Sequence, residues 1–334
     1  MKRRDAAIAL LALGGSPLVC LAQQPGRTYR IGVVLSGPEA AMQRYLVALR
    51  ERMAQHGFVE GRNLRISLAV TPPVEDQQLE AARLLLASKP DALFTFDAPQ
   101  TLGVQRLKTQ IPIVFTFVGD PIAYGIVKQL RHPGGNTTGA SMQERETKIK
   151  RLELLRDLLP GAKRVGVVGY FMRSSRDVAF QANEPAFRSA AASLGFELLD
   201  EPGWSHTEGI TGAMDRAARR GAEAFYIFHS LSIQGLEWGG QDVVRFANER
   251  RVPAIFQESE LVEMGGLLSY GPSLVDEVRR SADQLVRVLK GAKAGELAID
   301  QATRFEIAVN VKSAKALGLA IPASVLQRAD RVIQ

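Results

Sequence analysis

The chain has 334 residues, 46% of them hydrophobic and 23% charged, with a formal net charge of +7. Its Lys and Arg residues are scattered among Asp and Glu and form no stripe of one sign, so the surface is not one that tracks phosphates and no nucleic-acid partner is expected. A single cysteine, Cys20, excludes an internal disulfide framework.

The first residues read as an export signal. "MKRR" is a basic start, and "AAIALLALGG" is an apolar run too short to span a bilayer. "SPLVCLAQQ" then offers a cleavage site after Ala22, with small Cys20 two residues before it. Residues 1–22 are therefore expected to be a signal peptide, and the mature protein to begin at Gln23 in the periplasm. The Arg3–Arg4 pair leaves twin-arginine export open. Lipidation of Cys20 is disfavoured, because Val19 stands where a small residue is usual and Pro17 where Leu is usual.

From Arg27 onward strands and helices alternate. "YRIGVVLSG" (29–37) predicts a buried strand and a turn. Residues 38–56 place Met42, Leu46, Leu49 and Met53 at helical spacing. "NLRISLAV" predicts a strand, 75–88 a helix, "DALFTFD" a strand, 99–108 a helix, and "IPIVFTFVGD" a strand that ends in Gly-Asp-Pro. Continuous apolar strands between amphipathic helices predict parallel sheets covered on both faces. "GNTTGASM" reads as a late strand and 145–159 as a helix with Ile149, Leu152, Leu155 and Leu159 inward.

The pattern then begins again. "RIGVV" at 30–34 returns as "RVGVV" at 164–168, "ALFTFD" at 92–97 as "AFYIFH" at 224–229, and "IPIVF" at 111–115 as "VPAIF" at 252–256. Three matches in the same order predict two α/β lobes of one topology. The expected first lobe is 27–144 together with a returning segment 296–334, and the expected second lobe is 145–295, with the helix at 273–290 inside it. Several crossings between lobes would keep them aligned while they open and close.

In an open parallel sheet, ligands sit outside the carboxyl ends of the strands. The first lobe contributes Ser36, Gly37, Asp97, Ala98, Gly119 and Asp120 at those ends. The second contributes Tyr170, Phe171, His229, Ser230 and Glu258, with Gln257 and Ser259 beside it. Each has a structural alternative: Asp97 and Asp120 are also placed to cap turns or helices, and His229 follows an apolar strand. Carboxylates, hydroxyls, rings and backbone N–H groups suit a small zwitterion such as an amino acid. No Arg or Lys stands at these ends, which argues against a bare anion. No Gly-x-Ser-x-Gly, Walker or His-Glu-x-x-His motif occurs, and the four histidines have no metal-ligand spacing. No enzyme, cofactor, metal or catalytic residue is expected.

"KTQIPIVFTFVGDPIAYGIVKQLRHPGGNTTG", "KRLELLRDLLPGAKRVGVV", "GGLLSYGP" and "RFEIAVNVKSAKALGLAIP" resemble a family of ABC-transporter substrate-binding proteins over essentially the full chain. The resemblance implies the type I periplasmic-binding-protein fold: two Rossmann-like lobes joined by a multi-strand hinge. A small-molecule ligand in the inter-lobe cleft and an ABC permease in the inner membrane are the partners expected of such a protein, and a monomer is expected. Some relatives are associated with aromatic amino acids. The sequence departs from the family pattern at "FDAPQ" and "YFMRSSRD", two loops at the expected site. The alternative functions are a ligand sensor for a signalling partner, or an enzyme using the same cleft with Asp120 or His229 as a base.

Overall fold

The computed structural model describes residues 26–35, 39–70, 75–169, 178–202, 209–228 and 240–334. The first lobe runs β1 (Tyr29–Leu35), α1 (Glu39–Gln55), β2 (Leu64–Val70), α2 (Glu75–Ala87), β3 (Ala92–Phe96), α3 (Ala98–Arg106), β4 (Ile113–Val118) and β5 (Thr137–Ser141). After α4 (Glu144–Leu158) comes a second series: β6 (Arg164–Gly169), α5 (Val178–Ser193), β7 (Glu197–Pro202), α6 (Gly209–Arg219), β8 (Ala224–Ile227), α7 (Gly240–Glu249), β9 (Ala254–Phe256), α8 (Ser259–Glu263) and β10 (Leu268–Pro272). The chain closes with α9 (Leu274–Leu289), β11 (Asp300–Gln301), β12 (Phe305–Asn310), α10 (Val311–Ala316), α11 (Ala323–Arg328) and β13 (Arg331–Ile333).

The repeat read from the sequence is a repeat of topology. The first sheet has the order β11-β5-β4-β3-β1-β2 and the second β13-β12-β10-β9-β8-β6-β7. Each contains the same doubly wound core, in which the second strand lies outside the first and the third to fifth follow on the other side. Every pairing within these cores is parallel. Strands buried on both faces can afford no polar alternation, which is why Ile113–Val118 and Ala92–Phe96 are buried throughout.

The lobe boundaries differ from the sequence expectation in two places. Helix α9, expected in the second lobe, packs in the first. Its apolar stripe of Leu274, Val278, Leu285 and Leu289 joins the core of Met42, Tyr45, Leu46 and Leu49 on α1. The tail, expected to return to the first lobe from 296, does so only through β11, which pairs with β5. β12 instead pairs antiparallel with β10, and β13 adds parallel to β12, so both extend the second sheet. The reason is an available edge: β10 ends the second parallel core, and a strand with a buried half such as β12 covers its open N–H and C=O groups.

The chain therefore passes between lobes three times, around 142–143, at Ser273 and around 302–304. These segments lie together at the hinge. The Gln143 side chain donates to the Ala302 carbonyl at 2.5 Å, and Ala302 N donates to the Ser141 carbonyl at 3.1 Å. Gln143 itself turns the chain in the left-handed region, with φ 50.

Candidate functional site

The strand ends of the two lobes meet. Asp120 follows β4 in the first lobe, and its Oδ2 accepts a hydrogen bond from Asn183 Nδ2 of α5 in the second at 3.2 Å. Arg44 of α1 forms an ion pair with Glu260, which lies in the first turn of α8 just beyond β9. The lobes are thus closed on each other, with the carboxyl ends of both sheets toward the seam.

On the first-lobe side the strand ends are strained. Asp97, after β3, has φ 74, and Phe117, near the end of β4, has φ 59. Such conformations are costly for bulky residues and persist where packing over-determines them, often at ligand sites. At Asp97 the constraint is a helix start. Its carboxylate accepts from Ala98 N at 2.7 Å, and its carbonyl accepts from the Thr101 hydroxyl at 2.8 Å. Ala98 is buried against Phe115, Val118 and Ile126. At Phe117 the constraint is a register shift in the β4–β5 pairing between Phe115 and Val118. The ring stacks edge-on against Tyr45, 4.9 Å between centroids, and against Phe96 at 5.3 Å. Burial holds the Tyr45 phenol well above its usual range; the Arg44 cation opposes this and the Glu258 carboxylate adds to it. Glu258, just before α8 of the second lobe, is itself buried.

Gly119 and Asp120 answer different needs. A Cβ on Gly119 would lie 2.1 Å from Glu144 Oε2, so glycine is required for the crossing helix to approach. The Gly119 carbonyl also accepts from the Ser141 hydroxyl at 3.1 Å and from Glu144 N at 3.2 Å. Asp120 Oδ1 caps the following turn, accepting from Ile122 N at 3.2 Å and Ala123 N at 3.0 Å, while Oδ2 reaches the other lobe.

The second-lobe side holds a buried polar cluster. Arg151 of α4 is fully buried. Its Nε donates to the Tyr226 hydroxyl at 2.9 Å and its Nη1 to Gln257 Oε1 at 2.8 Å. The Tyr226 hydroxyl donates in turn to the Lys148 carbonyl at 3.0 Å, and burial keeps that phenol protonated by pushing it up. Lys148 Nζ pairs with Glu144 at 3.1 Å and lies 5.0 Å from the centre of the Phe228 ring. Gln257 Nε2 reaches Met142 Sδ of the hinge at 3.8 Å.

The family model for ABC transporter substrate binding proteins matches residues 30–333. The chain belongs to that family. A tyrosine-binding protein of Clostridioides difficile (strain R20291) is 24% identical to this substrate-binding protein over 281 residues, which cover 84% of this chain and 77% of that one. A crystal structure of a conserved domain protein from Vibrio cholerae O1 biovar eltor superposes with a TM-score of 0.81 at 24% identity, covering 92% of this chain and 100% of the other. A Streptococcus pneumonia ABC domain in complex with L-Trp gives the same TM-score, identity and coverage. The shared fold is that of the type I periplasmic binding proteins, as the resemblance implied.

Of the strand-end residues expected in the site of this substrate-binding protein, Asp97, Ala98, Gly119, Asp120 and Glu258 fall among the described residues, and all lie at the carboxyl ends of central strands. Ser36, Gly37, Tyr170, Phe171, His229 and Ser230 lie outside the described residues, as does the expected signal peptide, 1–22. Sequence reasoning missed Lys148 and Arg151. They stand one helical turn before Leu152 and Leu155, on the face that α4 buries. That register is the available signal, a weak one because a cation on a helix normally faces water. Tyr45 and Asn183 left no signal beyond helical spacing. Among the described residues no group of three or more His, Cys, Asp and Glu side chains could hold a metal ion, and no helix is long and apolar enough to cross a membrane.

Proposed function

We propose that this substrate-binding protein is exported to the periplasm, closes its two lobes on an amino acid with an aromatic side chain, and presents it to an ABC permease. The observation that carries the reading is the meeting of strand ends from two like-wound lobes across a hinge crossed three times. A ligand that contacts both lobes favours the closed state by its difference in affinity for the two states, and a permease can read closure. The aromatic preference is supported by the relatives that bind tyrosine and L-Trp. The proposed ligand-contacting residues are Ser36, Gly37, Asp97, Ala98, Gly119, Asp120, Tyr170, Phe171, His229, Ser230 and Glu258. The protein acts as a monomer and performs no chemistry on its ligand.

Ligand-stripped protein lacking residues 1–22 is screened against the common amino acids by thermal shift, then by calorimetry. Tyrosine, tryptophan or phenylalanine is expected to raise the melting temperature and to reduce the radius of gyration in solution scattering. A screen in which only non-aromatic solutes bind would overturn the aromatic reading, and turnover of any bound amino acid would overturn the non-enzymatic one.

A further inference from the structure

Two cations are buried among the described residues, Lys148 and Arg151. Lys148 has a carboxylate partner in Glu144. Arg151 has none among the described residues: its two hydrogen bonds there go to a phenol and an amide, both neutral. Its third nitrogen, Nη2, is equally buried and has no hydrogen-bond partner among the described residues. Removing a guanidinium from water without a counter-ion is expensive, and an unused buried donor adds to the cost. A purely structural strut would not need the charge at all, since an apolar side chain of similar volume fills such a site at lower cost.

The place of this cation matters. Gln257 directly follows β9, and Tyr226 is the penultimate residue of β8. Both belong to the carboxyl ends of central strands in the second lobe. The neighbouring Glu144–Lys148 pair lies against Gly119 at the end of β4 in the first lobe. Met142 of the hinge closes the cluster from the side. The uncompensated charge therefore sits where strand ends of the second lobe, the hinge and the helix pair packed on Gly119 converge.

We propose that Arg151 is the carboxylate anchor of the binding site, with Nη2 taking the ligand's carboxylate and with Tyr226 and Gln257 holding the guanidinium plane. This rests on the amino-acid reading above and deepens it: the ligand class is an organic acid group carried on an apolar body. With the lobes together Nη2 is sealed, so the contact forms as the cleft closes over a ligand that entered while it was open. The charge then finds its counter-ion only in the liganded, closed protein, which couples recognition to closure.

The test is a thermodynamic cycle between Arg151 and the ligand's carboxylate. Wild-type protein, Arg151→Met and Arg151→Lys are titrated by calorimetry with three sets of probes. These are tyrosine, tryptophan and phenylalanine; the corresponding amines without a carboxylate; and the corresponding arylpropionic acids without an amine. Arg151→Met is expected to weaken carboxylate-bearing probes by roughly 10- to 100-fold, the size of one charge-assisted hydrogen bond. Amines should change by less than about threefold, and Arg151→Lys should fall between for the acids. Equal weakening of acids and amines, or wild-type binding of amines alone, overturns the anchor; in the second case a cleft for small amines survives. Wild-type binding of the propionic acids as tightly as the amino acids, lost in Arg151→Met, supports the anchor and overturns the amino-acid reading. No binding by any probe overturns both. If Arg151→Met fails to fold, Arg151→Lys carries the same cycle: selective loss of acids supports the anchor and equal loss overturns it.

Discussion

Helices α4 and α9 occupy equivalent places in the two halves of the molecule. Each leaves the fifth strand of its own sheet core, crosses the hinge and packs on the opposite lobe. Yet their buried faces differ. Helix α9 is capped by Ser273, whose hydroxyl accepts from Asp276 N at 3.3 Å, and buries an apolar stripe with one charge, Glu277. That charge is answered within the helix by Arg280, which also reaches Asp300 at 3.1 Å. Helix α4 starts from a left-handed Gln143 with no side-chain cap and buries Thr147, Lys148 and Arg151 beside its leucines. One crossing helix has its buried charge neutralised internally; the other carries a charge, Arg151, that no carboxylate among the described residues answers. The duplicated scaffold thus supplies a structural helix on one side and a chemical one on the other.

The contrast can be broken first at α9. Glu277→Ala should cost about 3 kcal/mol of stability in urea unfolding, the low end for a broken buried pair because Asp300 still holds Arg280. Ligand affinity should change by less than about twofold. Arg151→Met should behave in the opposite way, with stability altered by less than about 1 kcal/mol. A stability loss at Arg151 as large as that at Glu277 would erase the distinction between the helices.

A smaller effect separates the two oxygens of Asp120. Asp120→Ala should lower stability by about 1 kcal/mol through loss of the turn cap. Asn183→Ala leaves that cap intact, so its effect should appear in ligand affinity with the melting temperature of the free protein nearly unchanged. Equal melting-temperature losses in both variants would mean that the inter-lobe bond, and not the cap, is the stabilising part.

The smallest expected change is at the rim. Arg44 is 39% exposed in its pair with Glu260, so Arg44→Ala should weaken ligand binding by only about 0.5 kcal/mol. The difference should shrink further in high salt, which screens a half-exposed pair. Solution scattering should show a more open free protein. An unchanged radius of gyration and an unchanged salt dependence would remove this pair from the closing contacts.

Much of the architecture was legible because strand cores repeat their composition. A strand buried on both faces must be a run of β-branched and aromatic residues, so "RIGVV" and "RVGVV" announce the same element twice. The terminal segment was harder. Residues 305–310 have a strand pattern, but nothing in it says which sheet offers a free edge, and β12 and β13 lie in the second lobe and not the expected first. Helix α9 was also placed in the wrong lobe, since an apolar stripe reports that a helix is buried without saying against what. Asp97, Gly119, Asp120 and Glu258 are legible as strand-end residues from the apolar runs that precede them. Lys148 and Arg151 are not legible in that way, because they arrive on a crossing helix and not at a strand end.

By itself the amino-acid sequence determined two parallel α/β lobes, their common order of strands and the set of residues at the strand ends, because hydrophobic periodicity and turn chemistry act over short stretches of chain. Only the tertiary structure decided that α9 packs on the first lobe and β12 and β13 on the second, that Asp120 meets Asn183 and Arg44 meets Glu260, and that Arg151 lies buried between Tyr226 and Gln257. The physical reason is that helical register can place a charged side chain on a buried face without saying what meets its charge there. Whether its desolvation can be met depends on partners 75 and 106 residues away, and only the folded chain brings them within reach.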